Sequence, residues 1–254
     1  MLRKLSNKGK RPEIRDLLPL VILSIFSLML KSNRVRSSLL ESLRYLVSSF
    51  SMRSSHNALL CSWLDLRQLL TTALSYLTHF LANHPDVQEK IHDEIESVCP
   101  NESIEYEELA ELKYTEAAIK ESLRFYPLAS FVVSRECQKE ISLGGIQLQK
   151  GDNILTDTWS LHMDKEIWGD DAEEFRPERW LEESSRPRVA FQSFGEGPRM
   201  CIGMRLAFME EKTAIAHILK NFIIKKTNNT NHIKLVGSMT VAPERIDVVL
   251  EKRK

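Results

Sequence analysis

The chain has 254 residues, of which 43% are hydrophobic and 28% are charged, a composition typical of a packed globular protein. It excludes a disordered, collagen-like or low-complexity chain. Lys and Arg together number 35, as do Asp and Glu, so the charge balance gives no reason to expect nucleic acid as a partner. The cysteines are Cys61, Cys99, Cys137 and Cys201, with no C-x-x-C pair. Neither a disulfide framework nor a zinc ribbon is therefore expected, and a reducing compartment is the natural interpretation.

The first segment, residues 1–51, differs in character from the rest. A basic stretch, Met1–Arg15, precedes an apolar run, Leu17–Leu30, that contains Pro19. Such an order resembles a signal or anchor segment, although a bilayer crossing needs about twenty apolar residues. The alternative is a poorly ordered segment that is not native to the fold.

From residue 71 onward the apolar spacing predicts helices, short strands and one long irregular stretch. The helices are predicted over Thr71–Ala82, Pro85–Val98, Leu112–Phe125 and Ile202–Phe222. Apolar residues alternate between Phe131 and Asp157, which predicts short strands. The region Glu166–Pro198 is irregular, and so long an irregular stretch inside a domain is usually functional. The fold class is therefore mainly α with small β-sheets, an α+β chain.

The strongest chemical signal is the ten-residue run from Phe194 to Gly203, Phe-Gly-Glu-Gly-Pro-Arg-Met-Cys-Ile-Gly. Its glycines and proline predict a tight turn, and Cys201 comes just before a predicted helix. A helix N-terminus and the nearby Arg199 both favour a thiolate. A loop that offers one buried thiolate, an arginine and an aromatic is what an axial haem ligand needs. On residue types alone, a buried structural cysteine is the alternative.

The spacing of this run resembles the haem-binding signature of the cytochromes P450 at every fixed position. Three further motifs follow the family's order. Glu121-Ser-Leu-Arg124 resembles its helical Glu-x-x-Arg pair, and Phe175-Arg-Pro-Glu-Arg-Trp180 resembles its meander, with Trp in the usual Phe position. The stretch from Ser160-Leu-His162-Met-Asp164 through Trp168-Gly-Asp-Asp resembles the segment that leads into that meander. The resemblance covers about Thr71 to Leu250 and is to the C-terminal portion of an animal microsomal enzyme. It implies the proximal haem side of the P450 fold.

The resemblance also implies roles for the residues of the loop. Cys201 is expected to ligate the iron of haem b, and Phe194 to pack beside the thiolate and shield it from water. Arg135 is expected to contact a haem propionate, which a guanidinium binds bidentately. Arg199, together with Gly197 and Gly203, completes the expected cofactor-binding set.

A second set of residues is expected to support the loop rather than to react. In the family the Glu-x-x-Arg pair, here Glu121 and Arg124, is buried and joined by the meander arginine, here Arg179. From the residues alone, Glu121 and Arg124 share a helix face, and an exposed ion pair of almost no energetic value is the favoured interpretation. His162 is either a helper at the propionate or a structural histidine.

The segment before residue 71 departs from the family's pattern. The oxygen-activating helix should carry Ala-Gly-x-(Asp/Glu)-Thr, whereas this chain has Trp63 and Leu64 in the small-residue region and Arg67 where an acid is expected. A reading shifted by two bases from Met52 to Leu69 permits Glu-Ile-Val-Ala-Gln-Cys-Phe-Val-Leu-Phe-Leu-Ala-Gly-Phe-Glu-Thr-Thr. The hypothesis is that 52–70 is an out-of-frame replacement of that helix, and that 71–254 is the haem-binding region.

The function expected from the resemblance is a haem-thiolate monooxygenase that oxidises a small apolar organic substrate. Its electrons would come from an NADPH-dependent flavoprotein reductase, at the cytosolic face of the endoplasmic reticulum membrane. The departures before residue 71 lead us to expect a chain that is inactive as written. The alternative is a non-catalytic remnant from a pseudogene or a faulty gene model.

Overall fold

Four long helices share one apolar core in the computed structural model, which describes residues 55–128, 134–228, 230, 233–237 and 240–253, with side chains from residue 69 onward. In chain order the helices are α1 (Ser55–Asn83), α2 (Pro85–Val98), α3 (Tyr106–Glu111), α4 (Lys113–Phe125), α5 (Thr158–Met163), α6 (Lys165–Trp168) and α7 (Met204–Asn221).

The core forms where α1, α2, α4 and α7 meet. Each of these helices contributes fully buried aliphatic side chains: Leu77, Leu81, Ile91, Ile95, Ile119, Leu123, Ile215 and Leu219. Burying one such side chain stabilises the fold by about 1.5–3 kcal/mol. Because α4 lies in the middle of this core, its polar residues Glu121 and Arg124 are also buried. These are the residues expected to support the cysteine loop.

The predicted helices are confirmed with shifts at their ends. α2 has the predicted bounds, with Pro85 in its first turn, where no amide hydrogen is needed. α1 begins at Ser55, well before the predicted start. α4 ends at Phe125, two residues before Pro127, as expected because a proline disfavours helical geometry in the residue before it.

Eight short strands form antiparallel pairs in the described part of the chain. They are β1 (Ser134–Glu136) with β4 (Asn153–Leu155), β2 (Ile141–Leu143) with β3 (Ile146–Leu148), β5 (Phe222–Lys226) with β8 (Val248–Lys252), and β6 (Leu235–Val236) with β7 (Ala242–Pro243). Arg135 stands opposite Ile154 in the first pair. The expectation of a mainly helical chain with small sheets is confirmed.

Some predictions fall outside the described residues. These are the structure of residues 1–51, the side chains of residues 52–68 and the stretch 129–133. None of the described helices has both the length and the apolar character needed to span a bilayer.

Candidate functional site

The cysteine loop is closed by its own backbone. The amide of Cys201 donates to the carbonyl oxygen of Phe194 at 2.8 Å, and the amide of Met200 donates to that of Gly197 at 3.1 Å. Gly195 and Gly197 have φ angles of 69° and 79°, in the left-handed region that residues with a Cβ rarely adopt. The two glycines therefore fix a turn that holds Cys201 beside Phe194.

The Cys201 thiol is exposed on the surface of the protein itself, so the expected burial of the thiolate stays a prediction for the haem-bound site. It is a free cysteine, and its exposed neighbours Met200 and Ile202 have relative accessibilities of 39% and 52%. Helix α7 begins at Met204 with Gly203 as its N-cap, so Cys201 lies outside the first turn. A Cβ added to Gly203 would lie 3.8 Å from the Cys201 sulfur, an ordinary contact distance.

Phe194 and Arg199, both in the cysteine loop, differ in their burial. Phe194 is half-buried and its ring centroid lies 5.2 Å from that of Phe208 on α7. Arg199 is exposed. The aromatic side chain therefore anchors the loop to α7, while the arginine remains accessible for a ligand.

Arg135 and Gly197 line one open cleft of about 340 Å³, together with Glu196 and the apolar side chains of Ile154 and Val189. The Arg135 guanidinium donates to the carbonyl oxygen of the adjacent Ser134 at 2.8 Å. The fold thus places an exposed arginine from β1 against the first part of the cysteine loop, as expected for a group that binds a carboxylate.

The Glu121 carboxylate is completely buried in α4 and accepts hydrogen bonds from four residues. Arg124 donates twice, from Nε to Oε2 at 3.0 Å and from Nη2 to Oε1 at 2.9 Å. Arg179 Nε donates to Oε1 at 2.9 Å, Trp180 Nε1 to Oε2 at 2.8 Å, and the Arg176 amide to Oε1 at 3.2 Å. The exposed-pair alternative is therefore excluded.

Arg179 fastens the meander to this carboxylate. Its Nη1 donates to the Trp168 carbonyl oxygen at 3.0 Å and to Asp171 Oδ1 at 3.2 Å, and its Nη2 donates to the Asp171 carbonyl oxygen at 2.9 Å. A guanidinium can satisfy so many acceptors because its donors form a rigid planar fork. The buried arginine therefore crosslinks α4, α6 and the chain that follows α6.

His162 is a structural histidine rather than a helper at the cleft. It is completely buried, its Nδ1 lies 3.0 Å from the Arg124 carbonyl oxygen, and its Nε2 accepts from the Gln192 amide at 2.8 Å. Burial lowers the pKa of His162 to about 4; the hydrogen bond with the Arg124 backbone opposes this shift, and the Arg124 charge adds to it. The ring is therefore neutral at physiological pH.

The sequence of the chain was compared with those of known protein families. The model of the family described as Cytochrome P450 matches residues 70–249, more than half of the chain. The chain belongs to the cytochrome P450 family. It is 46% identical over 188 residues to a Caenorhabditis elegans protein named cytochrome P450 CYP13A5, a match that covers 72% of this chain and 36% of that protein. Identity to the nematode protein named CYP13A10 is 47% over 189 residues, with the same two shares covered.

The chain thus spans about 36% of the length of the curated P450 relatives that it matches. The family implies a haem with a cysteine thiolate ligand, and the described residues fit that group. Cys201 is free and exposed, and the exposed Met200 and Ile202 beside it suit an apolar macrocycle. Arg135 lines a cleft with an apolar wall, where a guanidinium suits a carboxylate at the edge of such a ligand.

Two P450 features were only partly anticipated from the sequence. Trp180 was noted as a replacement for the usual Phe, but its hydrogen bond to Glu121 was not foreseen. His162 was noted as a motif residue, but its bond to the amide of Gln192 was not foreseen. An indole in place of a phenyl ring adds one N–H donor, and this is the sequence signal that could have indicated the first contact.

Proposed function

We propose that this chain forms the haem-thiolate part of a monooxygenase that inserts one oxygen atom into a small apolar organic substrate. The observation that carries the proposal is the cysteine loop, closed on Phe194, that presents an exposed Cys201 thiol. In a P450, a sulfur held in this way is the ligand of the iron. Haem b, when bound, supplies the dioxygen and electron chemistry, in which a thiolate ligand favours cleavage of the O–O bond.

The protein's own residues would bind the haem and orient it. Cys201 would hold the iron, Phe194 would exclude water from one side of the thiolate, and Arg135 and Arg199 would offer charge to the propionates. Glu121, Arg124 and Arg179 hold together α4 and the backbone around Trp168 and Asp171. None of these groups moves a proton, so their contribution is positional.

The redox partner and the cellular location are proposed by analogy with other P450 enzymes. We propose that electrons come from an NADPH-dependent flavoprotein reductase and that the enzyme works at the cytosolic face of the endoplasmic reticulum membrane. The substrate class is small and apolar.

A second candidate is a haem-binding remnant without turnover. It is favoured by the sequence of the segment 60–70, which carries Trp63, Leu64 and Arg67 where the family has small residues and an acid. An enzyme of this family without its proton-relaying pair is expected to be inactive. The transcript sequence across this segment tests the frameshift hypothesis directly, because a base order that cannot encode Ala-Gly-Phe-Glu-Thr-Thr would exclude it.

The test of haem binding is to express the full chain with haem and to record the absorption spectrum of its reduced carbon monoxide complex. We expect the thiolate-type band in the wild type and its loss in Cys201→Ser. Cys137→Ser is the matched control, because Cys137 is a buried cysteine whose sulfur donates to the Lys139 carbonyl oxygen, and a hydroxyl can do the same. A thiolate band that survives in Cys201→Ser would overturn the assignment. Oxygen-dependent product formation with reductase separates the enzyme from the remnant.

A further inference from the structure

Two side chains tie the last turn of α4 to the chain that leads into the cysteine loop. The main-chain amide of Gln192 donates to His162 Nε2 at 2.8 Å, and the Ser193 hydroxyl donates to the Leu123 carbonyl oxygen at 2.8 Å. The two ties act on adjacent residues, directly before Phe194. The position of this segment is therefore set from α4.

The hydrogen bonds determine which tautomer His162 adopts. A backbone amide can only donate, so Nε2 carries no proton and accepts from Gln192. The proton of the neutral ring then lies on Nδ1, which donates to the Arg124 carbonyl oxygen at 3.0 Å. The Phe191 ring stacks on the imidazole with centroids 5.5 Å apart, which fixes its plane.

Arg124 and His162 are joined by two hydrogen bonds, in each of which the side chain of one residue donates to the main-chain carbonyl oxygen of the other. Arg124 Nη1 donates to the His162 carbonyl oxygen at 2.6 Å, while the His162 ring donates to the Arg124 carbonyl oxygen. The Arg124 side chain, itself held by Glu121, thus holds the main chain of His162, while the Arg124 main chain accepts the hydrogen bond of the imidazole.

The path continues from His162 to the thiol-bearing residue. His162 holds the amide of Gln192, and two residues later the Phe194 carbonyl oxygen accepts from the Cys201 amide at 2.8 Å. Gln192 also lines the cleft that contains Arg135. His162 therefore holds a residue that precedes the cysteine loop and lines the cleft of Arg135.

We infer that His162, in its Nδ1–H form, is a positioning residue for Cys201, because it transmits the placement of the Glu121–Arg124 pair to the cysteine loop. A buried histidine that only filled space would act through its size and its stacking on Phe191. A positioning histidine acts through the acceptor at Nε2. The inference rests on the proposed function only in that Cys201 is the iron ligand.

Two polar variants separate these roles in the full chain. In His162→Asn, the short amide can occupy the place of Nδ1 and bond the Arg124 carbonyl oxygen, but it does not reach the amide of Gln192. In His162→Gln, the longer amide brings an acceptor to the place of Nε2. The control is His92→Asn on α2, since His92 is also largely buried and its Nδ1 makes no hydrogen bond within the described part of the chain.

The measurement is amide hydrogen exchange at Gln192 and Cys201, without haem. A lost hydrogen bond of about 1–1.5 kcal/mol corresponds to a rate increase of about tenfold. We expect that increase at both amides in His162→Asn, near-wild-type rates in His162→Gln, and no change in the control. Equal rates in the Asn and Gln variants, or an increase at Gln192 that does not extend to Cys201, would overturn the inference.

Haem release provides a second measurement. With haem bound, transfer to a haem-scavenging protein should be faster in His162→Asn than in His162→Gln. A chain that binds no haem would refute the proposed function, whereas the exchange measurement would still decide the role of His162. Haem release at the same rate in the two variants would count against the inference.

Discussion

The substitution Glu121→Gln tests the buried network with the smallest change in shape. The Glu121 carboxylate accepts from Arg124 and Trp180 at Oε2, and from Arg124, Arg176 and Arg179 at Oε1. An amide keeps only one of the two acceptors and turns an N–H group toward the donors at the other. It also removes the negative charge that lies between two buried guanidinium groups.

The expected cost is large compared with the stability of a domain. Breaking a buried ion pair by removing one partner costs about 3–5 kcal/mol, and each donor left without an acceptor adds about 1–3 kcal/mol. Because native domains are stable by only about 5–15 kcal/mol, we expect Glu121→Gln to lower the free energy of unfolding by at least about 4 kcal/mol.

The assay is urea unfolding followed by far-ultraviolet circular dichroism. Glu173→Gln is the matched control: Glu173 is 76% exposed and its carboxylate lies 3.7 Å from Lys165 Nζ. Surface pairs of this kind contribute about 0–1 kcal/mol, so the control should unfold nearly as the wild type does. If Glu121→Gln changed the free energy of unfolding by less than 1 kcal/mol, a threshold well under the roughly 3–5 kcal/mol expected, the ion-pair argument would be refuted.

The remaining predictions use the same unfolding assay. Trp180→Phe keeps one aromatic six-membered ring but loses the pyrrole part of the indole with its N–H donor to Glu121. We expect a loss of about 2 kcal/mol from the missing hydrogen bond; an unchanged midpoint would contradict this role. Burial raises the pKa of Glu211 to about 8, with a further contribution from Glu210. An unfolded chain ionises this carboxyl near 4.5, so stability should fall as pH rises from about 4.5 to 8. Glu211→Gln should then stabilise the fold at pH 8 by about 3 kcal/mol or more, and an equal pH dependence in both proteins would disprove it. For His162, the folded pKa of about 4 lies below the unfolded value of 6.5, so stability should fall as pH drops from about 6.5 toward 4, by about 3 kcal/mol in total. His162→Gln should flatten this part of the profile.

The features that could be predicted from the sequence are local ones. Helix α2 follows from Pro85 and from apolar residues such as Ile91 and Ile95, which recur with helical spacing. The turn before Cys201 follows from Gly195 and Gly197, because positive φ angles select glycine. In both cases the residues that determine the structure are neighbours in sequence.

Contacts between distant segments were accessible only through resemblance. The Glu121–Arg179 bond joins residues 58 positions apart, and the spacing of Glu121 and Arg124 within α4 by itself favours an exposed pair. Family membership removed that ambiguity. The bond between His162 and Gln192 spans 30 positions and had no counterpart in the motifs, so only the fold reveals it.

The conformation of the cysteine loop and the burial of the Cys201 thiol have different physical origins. The loop's internal conformation is set by backbone hydrogen bonds and by glycines within it, so the sequence determines it locally. Burial depends on what covers the surface, and here Met200 and Ile202 stand exposed beside the thiol. A haem laid on this strip would itself bury the sulfur. The buried thiolate expected from the sequence is thus a prediction for the haem-bound site, whereas the protein contributes the hydrogen bonds that close the loop on Phe194.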